Sequence, residues 1–107
     1  MKTNKELVEY LNSLKIIQKG SWDEDIPEEI YNEYFDGKSQ TVESELNINK
    51  HRWYETSVEV LKMNGGFIGV NSITDCFSEQ SAIEDMFFTL DFFEMEEIPS
   101  VTYKKLK

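Results

Sequence analysis

The chain has 107 residues, of which 39% are hydrophobic and 13% aromatic, so it is long enough to form one domain with a compact core. Its 21 acidic residues against 11 lysines and arginines give a net charge of −10, which disfavours direct binding to DNA or to anionic membrane surfaces. A polar N-terminus without a secretory signal and a single cysteine, Cys76, predict a cytoplasmic protein without an internal disulfide.

The N-terminal third of the chain predicts two helices. Residues 4–18 place apolar side chains at helical spacing behind a cap at Thr3 or Asn4. A loop is expected at residues 21–25. Residues 27–36 then predict a second, shorter helix that begins at a proline, which the first helical turn accepts. The buried side of this second helix is expected to carry Ile26, Ile30, Tyr31, Tyr34 and Phe35.

The middle of the chain changes to the two-residue period of a sheet. Residues 38–50 are polar and predict a loop or an irregular edge strand. Residues 54–60 alternate apolar and polar side chains, which indicates a half-buried strand. The Asn-Gly-Gly sequence at 64–66 accepts the positive φ angles of a hairpin turn, and residues 67–77 form the returning strand. Gly69 inside that strand indicates a bulge or close packing by a ring from a neighbouring strand.

The C-terminal part completes the predicted sheet. Residues 87–97 favour a strand over a helix because aromatic side chains alternate with polar ones. A proline separates them from a last strand at 100–106. The predicted fold class is α+β, with two N-terminal helices packed on a three- to four-stranded antiparallel sheet. It forms a single domain over 1–107, with a helical part at 1–37 and a sheet part at 50–107.

The sequence holds no set of residues typical of catalysis. His51 is the only histidine and has no evident orienting partner, and Cys76 lies in a predicted strand without a basic neighbour to lower the pKa of its thiol. The glycines do not follow the order of a phosphate-binding loop, and no cysteine and histidine spacing of a zinc site is present. We therefore predict a protein that is not an enzyme, with no catalytic residues, no cofactor and no metal.

The carboxylates are concentrated in two blocks along the chain. The first contains nine acidic residues against one lysine: Asp23, Glu24, Asp25, Glu28, Glu29, Glu33, Asp36, Glu43 and Glu45. The second contains eight and no base: Asp75, Glu79, Glu84, Asp85, Asp91, Glu94, Glu96 and Glu97. Carboxylates held on rigid elements can imitate the phosphates of DNA and so attract proteins that bind it. The alternative is an ordinary solvated surface that keeps the protein soluble.

Two tryptophans are candidate anchors for a protein partner. Trp22 lies next to the first acidic block, and Trp53 lies at the start of a predicted strand. Either ring could instead pack inside the fold. The residues predicted to bind a partner are Glu29, Glu33, Asp36, Glu94, Glu96, Glu97, Trp22 and Trp53.

The C-terminal half resembles small phage and prophage proteins. The resemblance lies in the Arg-Trp strand at 51–55 (HRWYE), the hairpin at 64–66 and the Glu-rich segment at 93–104 (FEMEEIPSVTYK). In size and acidity the whole chain is also similar to anti-CRISPR proteins that block type II nucleases. The resemblance implies a phage or mobile-element protein that acts in the cytoplasm of a host cell.

Charge and resemblance together predict a non-enzymatic inhibitor. It would bind a host protein that handles nucleic acid, with a CRISPR nuclease as the leading candidate, through a DNA-mimicking acidic surface and without binding nucleic acid or membrane itself. The alternative is a generic protein-interaction or accessory module without mimicry, which could form a homodimer.

Overall fold

The computed structural model describes residues 2–76, 83–98 and 102–105 and has an α+β architecture. An N-terminal helix and an antiparallel sheet confirm the coarse prediction of fold class. In chain order the elements are α1 (Asn4–Ser13), α2 (Trp22–Asp25), α3 (Glu28–Ile30), a π-helical turn (Tyr31–Phe35), β1 (Gln40–Lys50), β2 (Tyr54–Met63), β3 (Gly66–Cys76), a 3-10 turn (Ile83–Met86), β4 (Asp91–Ile98) and β5 (Thr102–Lys105).

Helix α1 begins at the predicted cap but is shorter than predicted. The Thr3 hydroxyl accepts a hydrogen bond from the Glu6 backbone N–H at 3.2 Å, and the Thr3 N–H donates to the Glu6 carboxylate at 3.0 Å, which completes a capping box. The prediction of helix over 14–18 is wrong, because residues 16–18 pair with 88–90 in extended form. The Leu90 N–H donates to the carbonyl of residue 16 at 2.8 Å.

Two amide side chains fasten this N-terminal region to the sheet. The Asn12 amide donates to the Phe92 carbonyl at 2.7 Å and accepts from the Phe92 N–H at 2.9 Å. The Gln18 amide makes the same pair of bonds with the backbone of Ile73, at 3.0 and 2.7 Å. Both side chains therefore act as substitutes for a neighbouring strand.

The segment 21–35 is helical almost throughout, which corrects the loop predicted at 21–25. Asp25, the last residue of the short helix α2, ties this helix to the residues that precede it. Its carboxylate accepts hydrogen bonds from the backbone N–H groups of Lys19 at 2.7 Å and Gly20 at 3.1 Å. The second predicted helix is present as α3, and it continues into the π-helical turn. That turn is closed by a bond from the Asp36 N–H to the Tyr31 carbonyl at 2.8 Å.

The sheet is an antiparallel meander with the strand order β1-β2-β3-β4-β5. It has five strands instead of three or four, because the segment predicted as a loop or irregular edge is the complete strand β1, with three register shifts against β2. The hairpin between β2 and β3 turns at Asn64 and Gly65, both with positive φ, as predicted. Residues 77–82 and 99–101 lie outside the described parts of the chain, and they include the end of the strand predicted at 67–77 and the start of the one predicted at 100–106.

Apolar side chains pack on both faces of the sheet. One face, together with the helical segments, carries the main core, which includes Leu7, Leu11, Leu61, Ile68 and Phe92. The opposite face carries a smaller cluster of Val58, Val60 and Met95, with Val42, Leu46, Phe67 and Phe93 packed against it. The prediction of a half-buried β2 is therefore wrong, because successive side chains of this strand are buried on alternate faces.

Gly69 in β3 is required by the packing of its neighbours. A Cβ atom at this position would lie 2.6 Å from Cε2 of Phe93 and would also meet the sulfur of Met95. The predicted close packing by a ring from a neighbouring strand is thus confirmed. Within the described residues no helix is long and apolar enough to cross a membrane.

Candidate functional site

Of the exposed carboxylates of the first block, Glu43 and Glu45 lie on β1, and the other five lie on the helical segment between residues 22 and 36. We call these five the acidic ridge; all are exposed, and they are Glu24, Glu28, Glu29, Glu33 and Asp36. Three of them are predicted binding residues. The ridge occupies one continuous segment of the chain, residues 24–36.

Aromatic side chains packed in the core fix the position of the acidic ridge. Tyr34 and Phe35 are both buried in the main core, and Tyr31 stacks on Phe35 with ring centroids 6.2 Å apart. Trp22 packs edge-on against Phe35 at 5.7 Å. The π-helical turn allows the adjacent Tyr34 and Phe35 to be buried together, and it also changes the α-helical alignment of acidic residues that the sequence predicted.

The only lysine in the first block forms hydrogen bonds with the backbone. The Lys38 ammonium donates to the carbonyl of Glu33 at 2.8 Å and to that of Asn32 at 3.4 Å. A cation in this position stabilises the carboxyl end of a helical segment. Its hydrogen bonds are therefore to the main chain and not to the carboxylates of the ridge.

Glu33 also perturbs a buried tyrosine. The Tyr34 hydroxyl accepts a hydrogen bond from the Lys2 backbone N–H at 2.8 Å, which alone would lower the pKa of the phenol. The hydrogen bond with the Glu33 carboxylate, burial and the charges of Glu33 and Glu6 outweigh this effect, so the pKa of Tyr34 is raised. Tyr34 therefore stays neutral at physiological pH and adds no charge to the ridge.

Not every carboxylate of the region belongs to this surface. Asp25 closes the turn before α2, as described above. Glu59 on β2 accepts from the indole N–H of Trp22 at 3.1 Å and from the Thr41 hydroxyl at 2.8 Å, and so joins the helical segment to two strands. These two acids are partly buried and bonded within the fold, whereas the ridge residues are exposed, with Glu33 also bonded to the Tyr34 hydroxyl.

Trp22 is not a surface anchor, which corrects that prediction. Only 8% of the residue is exposed, because its ring packs between Phe35 and Phe92 and its N–H is bound by Glu59. Beside it lies a recess of about 420 Å³. The residues that line it include Asp23 and Glu59 and, within the described chain, no lysine or arginine. The recess therefore extends the negative potential of the ridge inward.

The three predicted residues of the second block do not form a comparable surface. Glu94 is half-buried and shares the border of a recess with Lys2 and Lys5. Glu96 is half-buried and paired in register with Lys104, while Glu97 is paired in register with Tyr103. The side chain of Glu97 lies outside what the structure describes.

Trp53 is exposed, as an anchor would require. It is 51% exposed in the turn between β1 and β2, and the Arg52 guanidinium lies 4.9 Å from its ring. Next to this turn, His51 stacks on Tyr54 with ring centroids 4.4 Å apart. Tyr54 in turn packs edge-on against Phe88, with ring centroids 6.3 Å apart. This end of the sheet therefore combines aromatic rings with the positive charge of Arg52, whereas the acidic ridge is negatively charged.

Sequence reasoning missed some features of these surfaces. Phe87 is the most exposed large apolar side chain of the described chain at 77%, and its φ of +51° is rare for a bulky residue. Glu24 and Glu28 were counted in the first block but not among the binding residues. Glu28 follows Pro27 at the start of α3, and this was the signal that could have found it; Glu24 lies in the first turn of α2, where the sequence predicted a loop.

The described residues contain no group of three or more acidic, histidine or cysteine side chains that could hold a metal ion. His51 stacks on Tyr54, and Cys76 is half-buried opposite Tyr54 in the sheet. No known protein family, curated protein or solved structure matches the chain.

Proposed function

We propose that the protein is a non-enzymatic inhibitor from a phage or mobile element that binds a host nucleic-acid-handling protein through the acidic ridge. A CRISPR nuclease is the first target to test, on the resemblance to anti-CRISPR proteins. The observation that carries the proposal is the ridge itself, with five exposed carboxylates held by buried aromatic side chains, while the one lysine of the first block is bound to the backbone. Such a surface suits a groove that normally holds phosphates.

The geometry narrows the binding surface that the sequence predicted. Glu29, Glu33 and Asp36 remain the residues expected to contact the partner, and Glu24 and Glu28 join them. We expect Glu94 and Glu96 to contribute less to binding. Glu94 borders a recess together with Lys2 and Lys5, and Glu96 is paired in register with Lys104. In the recess beside Trp22, a long basic side chain of the partner would meet Asp23 and Glu59.

The first experiment is a pull-down from a CRISPR-bearing bacterial lysate that has been treated with nuclease. Bound proteins are eluted in salt steps and challenged with excess duplex DNA. Capture of a nucleic-acid enzyme that DNA displaces supports the proposal and names the target. A purified target is then assayed for DNA cleavage with and without the protein. Capture that is indifferent to both DNA and salt refutes the mimicry.

A matched pair of variants separates the ridge from net charge. Reversal of Glu29, Glu33 and Asp36 to lysine changes the net charge from −10 to −4, since each reversal adds two charges. Reversal of the exposed Glu9, Glu45 and Asp75 changes it equally. Exposed ion pairs contribute roughly 0.2–1 kcal/mol each, so the loss of three should weaken binding about threefold to 150-fold. Equal loss in both variants would show that only overall charge matters.

The exposed Trp53 favours a second candidate, a generic interaction module. Edge-to-edge pairing of sheets is disfavoured, because β1 carries three register shifts and β5 has only four residues, two of them lysines. A module of this kind would therefore use the rings near Trp53 and Phe87. Concentration-dependent sedimentation that is insensitive to salt and lost in Trp53→Ala would favour it over the inhibitor.

A further inference from the structure

The sheet face opposite α1 contains a cleft that the acidic ridge does not involve. Its volume is about 220 Å³, and four adjacent strands contribute its walls: Asn47, Asn49, Thr56, Val58, Asn71, Phe93 and Met95. The strand register explains their proximity. Val58 of β2 lies directly opposite Asn71 of β3, and Thr56 lies opposite Asn49 of β1.

The floor of the cleft is apolar, and its packing requires a glycine at position 69. Phe93 and Met95 reach across from β4 over Gly69 of β3, where a Cβ atom would clash with both. Val58 and Met95 are buried, while Phe93 is half-exposed and presents part of its ring to the cleft. The result is an apolar floor with one partly accessible aromatic ring.

The rim consists of amides in places where a strand does not favour them. Asparagine is depleted in strands, yet Asn47, Asn49 and Asn71 all lie in β1 and β3 around this one cleft. Asn47 has a φ of +53° inside the irregular part of β1. Among the residues that the structure describes, none forms a hydrogen bond with these three side-chain amides. Local rules of strand sequence are thus broken together at one place, which is typical of functional sites.

The lining excludes most classes of ligand. No charged side chain lines the cleft, so it offers no counter-ion to an anion or a cation. A phosphate would also be repelled by a chain of net charge −10. A purely apolar ligand would cover the amides without satisfying them, which is unfavourable. The volume is below the 300–1,000 Å³ typical of drug-sized ligands and suits a single ring.

We propose that this cleft binds a neutral sugar ring, either a free hexose or the end of a glycan. Sugar hydroxyls donate and accept hydrogen bonds, as side-chain amides do, so neighbouring hydroxyls match the rim of Asn47, Asn49 and Asn71. The C–H face of the ring would lie against Phe93. With its small buried area and few atoms, such a ligand is expected to bind with a Kd of about a millimolar.

Titration of the full chain by two-dimensional NMR tests the proposal. Glucose, galactose, mannose and N-acetylglucosamine are added in turn, and the side-chain amide signals of the asparagines are followed. At least one sugar should shift the signals of Asn49 and Asn71 while leaving those of Asn32, on the acidic segment, in place. A methyl glycoside in a parallel titration distinguishes the sources: shifts with the free sugar alone indicate a free hexose, and shifts with both indicate a glycan end.

Variants make the test specific. Asn71→Ala should weaken sugar binding about fivefold to tenfold, the loss expected for one or two hydrogen bonds, whereas the exposed Asn32→Ala should leave it unchanged. The folding of both variants is checked by the dispersion of their spectra. The proposal is overturned if none of the sugars shifts the cleft amides at millimolar concentration, or if folded Asn71→Ala binds as the unmodified chain does.

Discussion

The buried Gln18 offers the sharpest test of how the fold is held. Its side chain is 1% exposed and makes three hydrogen bonds to the backbone: it donates to the carbonyls of Gly20 at 2.8 Å and Ile73 at 3.0 Å, and it accepts from the Ile73 N–H at 2.7 Å. Replacement by methionine keeps the length of the side chain and removes all three bonds. The N–H and carbonyl of Ile73 are then buried without these partners.

The magnitude follows from those two backbone groups. Each buried group left without a partner costs about 1–3 kcal/mol, and the added apolar surface of methionine offsets about 1 kcal/mol. We expect Gln18→Met to lower the free energy of unfolding by about 3 kcal/mol. For a chain of this length the midpoint of thermal unfolding should fall by roughly 12–24 °C.

Urea unfolding followed by tryptophan fluorescence measures this difference. The control is Gln40→Met, since Gln40 is exposed on β1 and should change the free energy of unfolding by no more than about 0.5 kcal/mol. If the two variants differ by less than about 1 kcal/mol, the Gln18 bonds do not stabilise the fold as argued. Gln18→Glu adds a second check, because burial raises the folded-state pKa of a carboxyl. Its deficit should be full at neutral pH and should shrink as the pH falls toward about 4.

Three further predictions concern packing, pH and burial. Gly69→Ala should lower the free energy of unfolding by about 1–3 kcal/mol, because the added methyl group displaces Met95; a neutral result in urea unfolding would contradict the close approach. The backbone N–H and hydroxyl of Thr3 lower the pKa of Glu6, so the stability that Glu6 contributes is present above its unfolded pKa and is lost as pH falls through the folded value. The unfolding midpoint should accordingly depend less on pH in Glu6→Gln than in the unmodified chain below about pH 5, and equal slopes would exclude this contribution. Trp22→Phe should remove the emission that acrylamide quenches poorly and leave the easily quenched emission of the exposed second tryptophan; uniform quenching before the substitution would show that Trp22 is not buried.

Local signals predicted the parts of the fold that local interactions determine. The capping box at Thr3 and the hairpin at Asn64 each depend on residues within a few positions of one another, and both were predicted. The end of α1 was not, because residues 16–18 gain a pairing partner at 88–90 that no local pattern reveals. Strand β1 was left open between loop and edge strand, since it forms by pairing with β2 despite three irregularities.

The same distinction applies to the candidate surfaces. The exposure of Glu29 and Glu33 followed from the amphipathic pattern of a short helical segment. The burial of Trp22 did not, because it depends on Phe92 and on Glu59, which is 37 positions away. The cleft between β1, β2, β3 and β4 was likewise hidden, because its asparagines meet only when the strands are in register.

The amide bonds between Asn12 and Phe92 also constrain how the chain can fold during its synthesis. The two residues are 80 positions apart, and Phe92 belongs to the same core as Leu7 and Leu11. At roughly 5–20 residues per second, the ribosome needs about 4–16 s to make the chain between them. Throughout that time the apolar side of α1 lacks its partner on β4. The core between α1 and the sheet can therefore close only after β4 has emerged from the ribosome.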